Sequence, residues 1–147
     1  MISPLSAAKT LCEAMGWGVS NLSMQKILYF SNMICLGQSK GANHLVSGLF
    51  EAWDYGPVLP SVYHTAKVFG SGFVGNVFHG VSSAPEGIEK EAIKLAANLL
   101  KDKKPGELVA ITHWEDGAWA KNYRPGLRGI VIPDQDILEE YNRRVQQ

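Results

Sequence analysis

The chemistry-bearing residues of this chain crowd into Thr112-His113-Trp114-Glu115-Asp116-Gly117-Ala118-Trp119, where an imidazole and two carboxylates fall within four positions. On a helix, His113 and Asp116 are i, i+3 neighbours within hydrogen-bond reach. A carboxylate-oriented histidine is the layout of a general base, so a hydrolase centred on His113 with Glu115 or Asp116 is one reading. The same spacing also describes a helix end, where an imidazolium meets the negative end of the dipole. No local motif marks a Ser or Cys nucleophile, and the structural reading is preferred.

Other chemistries find less support. His44, His64, His79 and His113 are widely separated, with no H-E-x-x-H or C-x-x-C spacing, so no metal is expected. There is no P-loop, and Gly70-Ser71-Gly72 is followed by Phe-Val-Gly rather than a helix start. Lys121, Arg124 and Arg128 surround Tyr123 and Pro125 in a surface loop that could meet an acidic partner or a nucleic-acid backbone. A solvated loop is the simpler account. Arg143 and Arg144 are expected to face water at the end of the last helix. No cofactor is called for.

A second constellation is Phe50-Glu51-Ala52-Trp53-Asp54-Tyr55-Gly56-Pro57-Val58-Leu59-Pro60-Ser61-Val62-Tyr63. In an extended segment Trp53 and Tyr55 would share one face. Pro57 fixes its own φ and restricts Gly56, and Pro60 can open a helix without losing a hydrogen bond. A rigid, aromatic connector of this kind either seals a core, where each large ring buries roughly 150–250 Å², or anchors an interface, where Trp and Tyr are enriched among hot spots. Spacing does not choose between the two.

The elements that must position these residues are mainly helical. Ser3-Pro4 opens a first helix that ends at Gly16-Trp17-Gly18. Asn21 is read as the cap of a second helix to Gln38, whose Ile27-Leu28-Tyr29-Phe30 centre is apolar nearly all round, the mark of a buried helix. A short strand is expected between His44 and Trp53, then a helix from Ser61 to Phe69. The glycine-rich stretch to Ser83 is a long loop or a small hairpin, with Gly75-Asn76 a weak turn signal. Pro85 starts a helix to about Lys103 with Ile88, Ala92, Leu95, Ala96 and Leu99 as its apolar stripe. Pro105-Gly106 breaks the chain before a short helix from Glu107 to about Trp114. Gly129–Ile132 suggests a strand, and Pro133-Asp134 opens a last helix with Ile137, Leu138, Tyr141 and Val145 on one face.

The 147 residues suit one domain, a compact helical bundle with a few short β-strands spanning 1–147. Lys+Arg and Asp+Glu are 14 each, so the basic excess usual in nucleic-acid binders is absent and nucleic acid is an unlikely partner. Low net charge favours self-association or a protein partner. Cys12 and Cys35 lie among apolar neighbours as buried free thiols. With no signal peptide and no apolar run long enough to span a membrane, a soluble cytoplasmic protein is expected.

Four blocks in order resemble one family. Leu22-Ser-Met-Gln-Lys-Ile-Leu-Tyr-Phe30 resembles the opening helix of the Panacea domain family, the SocA/GepA-like prophage-associated proteins. Glu51 to Val58 with Pro60 and Val62-Tyr63 resembles its central "EAWxYGPVxPxVY" block. Thr112-His113 with Gly117 and Trp119 resembles its late "TH…GPW" block, with Ala118 in place of the proline. Ile132 to Ile137 resembles its closing helix start. The resemblance implies an antitoxin of a toxin–antitoxin system that neutralises a protein toxin encoded nearby by direct binding, or an adaptor that delivers the toxin to a protease complex. It implies no enzyme and no catalytic site. Trp53, Tyr55, Pro57, Tyr63, His113 and Trp119 become the candidate partner-binding residues.

Overall fold

The structure, a computed structural model, describes residues 1–146. Ser3 caps the first helix as the sequence predicts: its Oγ accepts the Ser6 N–H at 3.1 Å, and α1 runs Pro4–Ala14 with the proline in its first turn. Gly16 and Trp17 then reverse the chain at φ +62° and +59°. The second helix, α2, spans Asn21–Gln38, and its cap is Ser20 rather than Asn21. Ser20 Oγ accepts the Ser23 N–H at 3.2 Å, so Asn21 is already helical. The apolar centre is buried all round, and α2 is the axis of the molecule.

The strand expected before Trp53 is half of a β-hairpin. β1 (Glu51–Trp53) pairs antiparallel with β2 (Gly56–Val58), Glu51 opposite Val58 and Trp53 opposite Gly56. Asp54-Tyr55 forms the two-residue turn, so Trp53 and Tyr55 do not alternate on one strand face as an extended segment would require. Gly56 sits at φ +109°, and a Cβ there would fall 2.6 Å from Thr112 Oγ1 and 3.0 Å from Lys26 Cε. Only glycine lets the hairpin run this close beneath its neighbours. The strand expected at Gly129–Ile132 reduces to a single bridge between Glu51 and Val131, flanked by Ala52 N–H to Ile130 C=O and Ile132 N–H to Phe50 C=O, each 2.9 Å.

Pro60 opens α3 (Pro60–Ala66), which tightens into a 3₁₀ turn over Lys67–Phe69. The glycine-rich stretch is an irregular loop rather than a hairpin. It is held by buried Val74 and Phe78 and by the Val74 N–H bonded to Val19 C=O at 2.9 Å. α4 (Ile88–Leu100) begins three residues later than Pro85 suggests, after Gly87. Its buried face is Ala92, Ile93, Ala96 and Ala97, while Leu95 and Leu99 of the predicted stripe are exposed. Alanines let α4 approach α2 closely, and the burial stripe is rotated accordingly.

α5 (Pro105–Thr112) takes Pro105 into its own first turn, so that residue starts a helix rather than only breaking one. A five-residue α6 (Ala118–Asn122), too short to show periodicity, follows. α7 is Asp134–Val145; Ile137 is buried, Leu138 and Tyr141 are partly so, and Val145 is exposed. Arg144 turns inward instead of facing water. Its Nε donates to Glu140 Oε2 at 2.7 Å and a terminal N–H to Ile111 C=O at 2.8 Å, while its guanidinium covers the Trp114 ring at 4.7 Å. Glu140 is fully buried and also accepts from Tyr29 Oη at 2.9 Å and Ala118 N–H at 2.8 Å. Ala118 thus supplies a hydrogen bond that proline could not. Both cysteines are buried thiols, and burial pushes Cys12 up to about 12. The fold is mainly helical with one small hairpin.

Candidate functional site

The hairpin, the N-terminal half of α2, α3 and the Leu127-Arg128 loop enclose an open groove of about 800 Å³. Its aromatic wall is built from both sides of Pro60. Trp53 at the end of β1 meets Tyr63 on α3 edge-to-face, centroids 4.9 Å apart, and Tyr63 meets His64 at 5.4 Å. Trp53 Nε1 donates to Glu51 Oε1 at 3.0 Å, which fixes the indole. Tyr55, at the hairpin tip, is 69% exposed, and Leu127, which also lines the groove, is 59% exposed.

Polar side chains from α2 hold the wall in place. Gln25 Oε1 accepts the Leu59 N–H at 2.8 Å and its Nε2 donates to Asn21 Oδ1 at 3.1 Å; Asn21 Nδ2 reaches Tyr63 C=O at 3.4 Å. Lys26 lies beneath the groove, fully buried, with its ammonium donating to Pro57 C=O at 2.9 Å. No described carboxylate pairs with it. Burial lowers Lys26 to about 7. Sequence reasoning missed this residue because a single lysine inside an apolar helix reads as a solvent-facing one. The signal was there, since a helix apolar all round has no solvent face to offer it.

The six sequence-derived candidates separate into two groups. Trp53, Tyr55 and Tyr63 line the groove. Pro57 is buried in β2 as the acceptor for Lys26. Trp119, 8% exposed, donates from Nε1 to Trp53 C=O at 2.7 Å and so braces the hairpin. His113 stacks on Trp119 with centroids 3.8 Å apart, and Tyr123 also stacks on that indole at 4.5 Å.

The general-base geometry at His113 does not form. α5 ends at Thr112, His113 is its C-cap, and Asp116 points to Arg143 at 3.9 Å. His113 Nε2 is buried without a partner. Burial, and then the nearby Lys26 charge, lower its pKa. The basic loop is dispersed as well. Lys121 pairs with Asp136 at 2.8 Å, Arg124 donates to backbone carbonyls of its own loop, and only Arg128 reaches the groove. Among the described residues no cluster of three His, Cys, Asp or Glu side chains could hold a metal, and no helix is long and apolar enough to cross a membrane.

Residues 24–77, which carry most of α2, the hairpin and α3, match the family described as antitoxin SocA-like, Panacea domain. The chain is 34% identical over 116 residues to the protein named Antitoxin SocA of Caulobacter vibrioides (strain NA1000 / CB15N), an alignment covering 69% of this chain. The chain spans 58% of the length of that relative. No solved structure matches.

Proposed function

The chain belongs to the SocA-like Panacea-domain family, and from that membership we propose that it is an antitoxin that neutralises a protein toxin by binding it directly through the groove. The observation that carries this reading is Tyr55, 69% exposed at the tip of a braced hairpin, beside the Trp53–Tyr63 pair. A rigid aromatic on a fixed turn loses little entropy on binding. Aromatic anchors of this kind dominate interface energetics, and a standard interface of about 1,600 Å² in total would extend from the groove over α3 and the Leu127 loop. The protein acts by occupancy in this reading, with no catalytic group and no cofactor.

The test is a growth assay on the adjacent open reading frame, expressed with and without this protein and followed by co-purification. Toxicity relieved by this chain in a stable complex supports direct occlusion. Relief accompanied by loss of the neighbour's protein level favours delivery to a protease instead. A harmless neighbour that does not co-purify overturns the reading.

A further inference from the structure

We propose that the outer edge of the sheet at Val131 accepts an extended segment of the protein partner as an added strand, which main-chain hydrogen bonds hold alongside the groove. The inference rests on the antitoxin reading and adds how the partner is held. β1 is paired on both sides, with β2 on one and with residues 130–132 on the other. Across the second pairing Ala52 N–H donates to Ile130 C=O and Ile132 N–H to Phe50 C=O, each at 2.9 Å. Glu51 and Val131 face each other between those bonds and exchange none, so the Val131 N–H and C=O point to the opposite side. Among the described residues neither group has a backbone partner. Val131 is 37% exposed, and residues 124–129 leading toward it are exposed throughout.

The two outer edges of the sheet differ in kind. On β2 the outward residue is Pro57, which has no N–H, and its C=O is held by Lys26 at 2.9 Å. That edge is closed. Residues 129–132 contain neither a proline nor a charged side chain, the usual means of blunting an edge. An unbonded N–H and C=O on one extended residue are complementary to another extended backbone, the basis of recognition by strand addition. Val131 shares a sheet face with Glu51 and Trp53, and those two line the groove together with Leu127 and Arg128. A strand added at Val131 therefore continues that face and sets alternate side chains beside the groove. Charge does not select the occupant, because Glu51 and Asp54 in the lining are matched in number by Lys67 and Arg128. A second copy has only Val131 to offer through this same edge, between Gly129 at φ +75° and Pro133, whereas a separate chain can run on from the edge into the groove.

The experiment is amide hydrogen exchange by nuclear magnetic resonance on the isotope-labelled full chain, alone and in complex with the product of the adjacent open reading frame. In the free chain the Val131 amide is expected to exchange at least tenfold faster than the bonded amides of Ala52 and Ile132. In the complex it should slow at least tenfold. Val131→Pro removes the outward N–H and leaves both bonds to β1 in place. It is expected to keep the circular dichroism of the wild type and to bind the neighbour at least tenfold more weakly than Val131→Thr, which retains the N–H. A complex in which the Val131 amide still exchanges fast overturns the proposal, and so does equal binding by the two variants. Slowing that follows protein concentration without the neighbour also overturns it and assigns the edge to a second copy of the chain. The exchange measurement uses the wild-type chain, so it decides the question even if Val131→Pro does not fold. Growth rescue separates the two levels. A wild-type chain that rescues while a folded Val131→Pro rescues equally well sinks the added strand alone, whereas a wild-type chain that fails to rescue sinks the antitoxin reading and this inference with it.

Discussion

His113 lies flat against Trp119, ring planes 3° from parallel and centroids 3.8 Å apart, while Trp119 Nε1 holds the Trp53 carbonyl at 2.7 Å. The residue with the strongest catalytic pattern in the sequence is therefore packed against the hairpin's brace. His113→Phe preserves the stack and removes the unpartnered Nε2. It is expected to keep the fold and growth rescue intact. The pH dependence has a definite sign. The folded-state pKa is lowered below the ordinary 6.5, so the unfolded chain takes up this proton first and stability falls as pH drops below that value. Urea melts from pH 7 to pH 5 should show a flatter decline for His113→Phe than for wild type; an unchanged slope would mean the ring is not held neutral.

Lys26 carries the larger effect. Its folded pKa of about 7 lies below the unfolded 10.5. The unfolded state binds more protons between these values, so this group's contribution to stability rises with pH from 7 toward 10 and its penalty is complete below 7. Lys26→Met removes the charge in similar volume but leaves the Pro57 carbonyl without its donor, at about 1–3 kcal/mol. At pH 6 the variant is expected to match or exceed wild type in denaturant melts, and its advantage should shrink as pH rises to 9. A parallel pH dependence in the two proteins would show that the ammonium is hydrated in place.

Glu140 on α7 ties α2 and α6 to its own helix through Tyr29 and Ala118, and it holds Arg144, which reaches the Ile111 carbonyl of α5. Glu140→Ala leaves a partly buried guanidinium and two donors without an acceptor, and is expected to cost about 3–5 kcal/mol. Tyr29→Phe removes one donor from an oxygen that keeps another, and should cost about 1–2 kcal/mol. Equilibrium urea unfolding of the two variants checks the order; equal losses would mean the network is not centred on the carboxylate.

How much of this was readable from the sequence depended on whether a residue's neighbours in sequence are its neighbours in space. Ser3-Pro4 and the apolar run of α2 act locally, and both elements form as their residues dictate. Asp54-Tyr55-Gly56 makes its hairpin turn because Gly56 must pass beneath Thr112, a contact that spacing does not reveal. Arg144 reads as solvent-facing from its place at the end of the last helix; it turns inward onto Glu140, one turn earlier, whose burial depends on Tyr29 and the Ala118 N–H from distant elements. On α4 the choice between leucine and alanine faces was made by the close approach to α2, which favours small side chains over greasy ones. The aromatics of the groove were legible as a group, whereas the hydrogen bonds that hold Glu51 to Trp53 and Asp54 to Tyr123 required the fold.

Gly56→Ala tests the hairpin's fit. The new Cβ would fall 2.6 Å from Thr112 Oγ1 at φ +109°, so steric and backbone strain act together and a loss above about 2 kcal/mol is expected. Gly126→Ala is the control, since φ is +79° but nothing lies within 4 Å; it should cost about 1 kcal/mol. Thermal melts that rank the two in the opposite order would refute the close-approach account of Gly56.

Tyr55→Ala separates recognition from folding better than Trp53→Ala does. Trp53 packs on Tyr63 and binds Glu51, so its truncation damages the wall as well as any contact made through it. Tyr55 is 69% exposed and makes no side-chain hydrogen bond among the described residues, so the free protein's melting temperature is expected to move by less than about 2 °C, the surface-substitution range. If the hairpin tip is an anchor, affinity for the co-purified toxin falls at least tenfold, about 1.4 kcal/mol. Trp53→Ala should lose both affinity and stability, read by titration calorimetry and circular dichroism on the same samples. Tyr55→Ala with full affinity and full growth rescue would move the interface away from the groove, and Trp53 would then be explained by its packing alone.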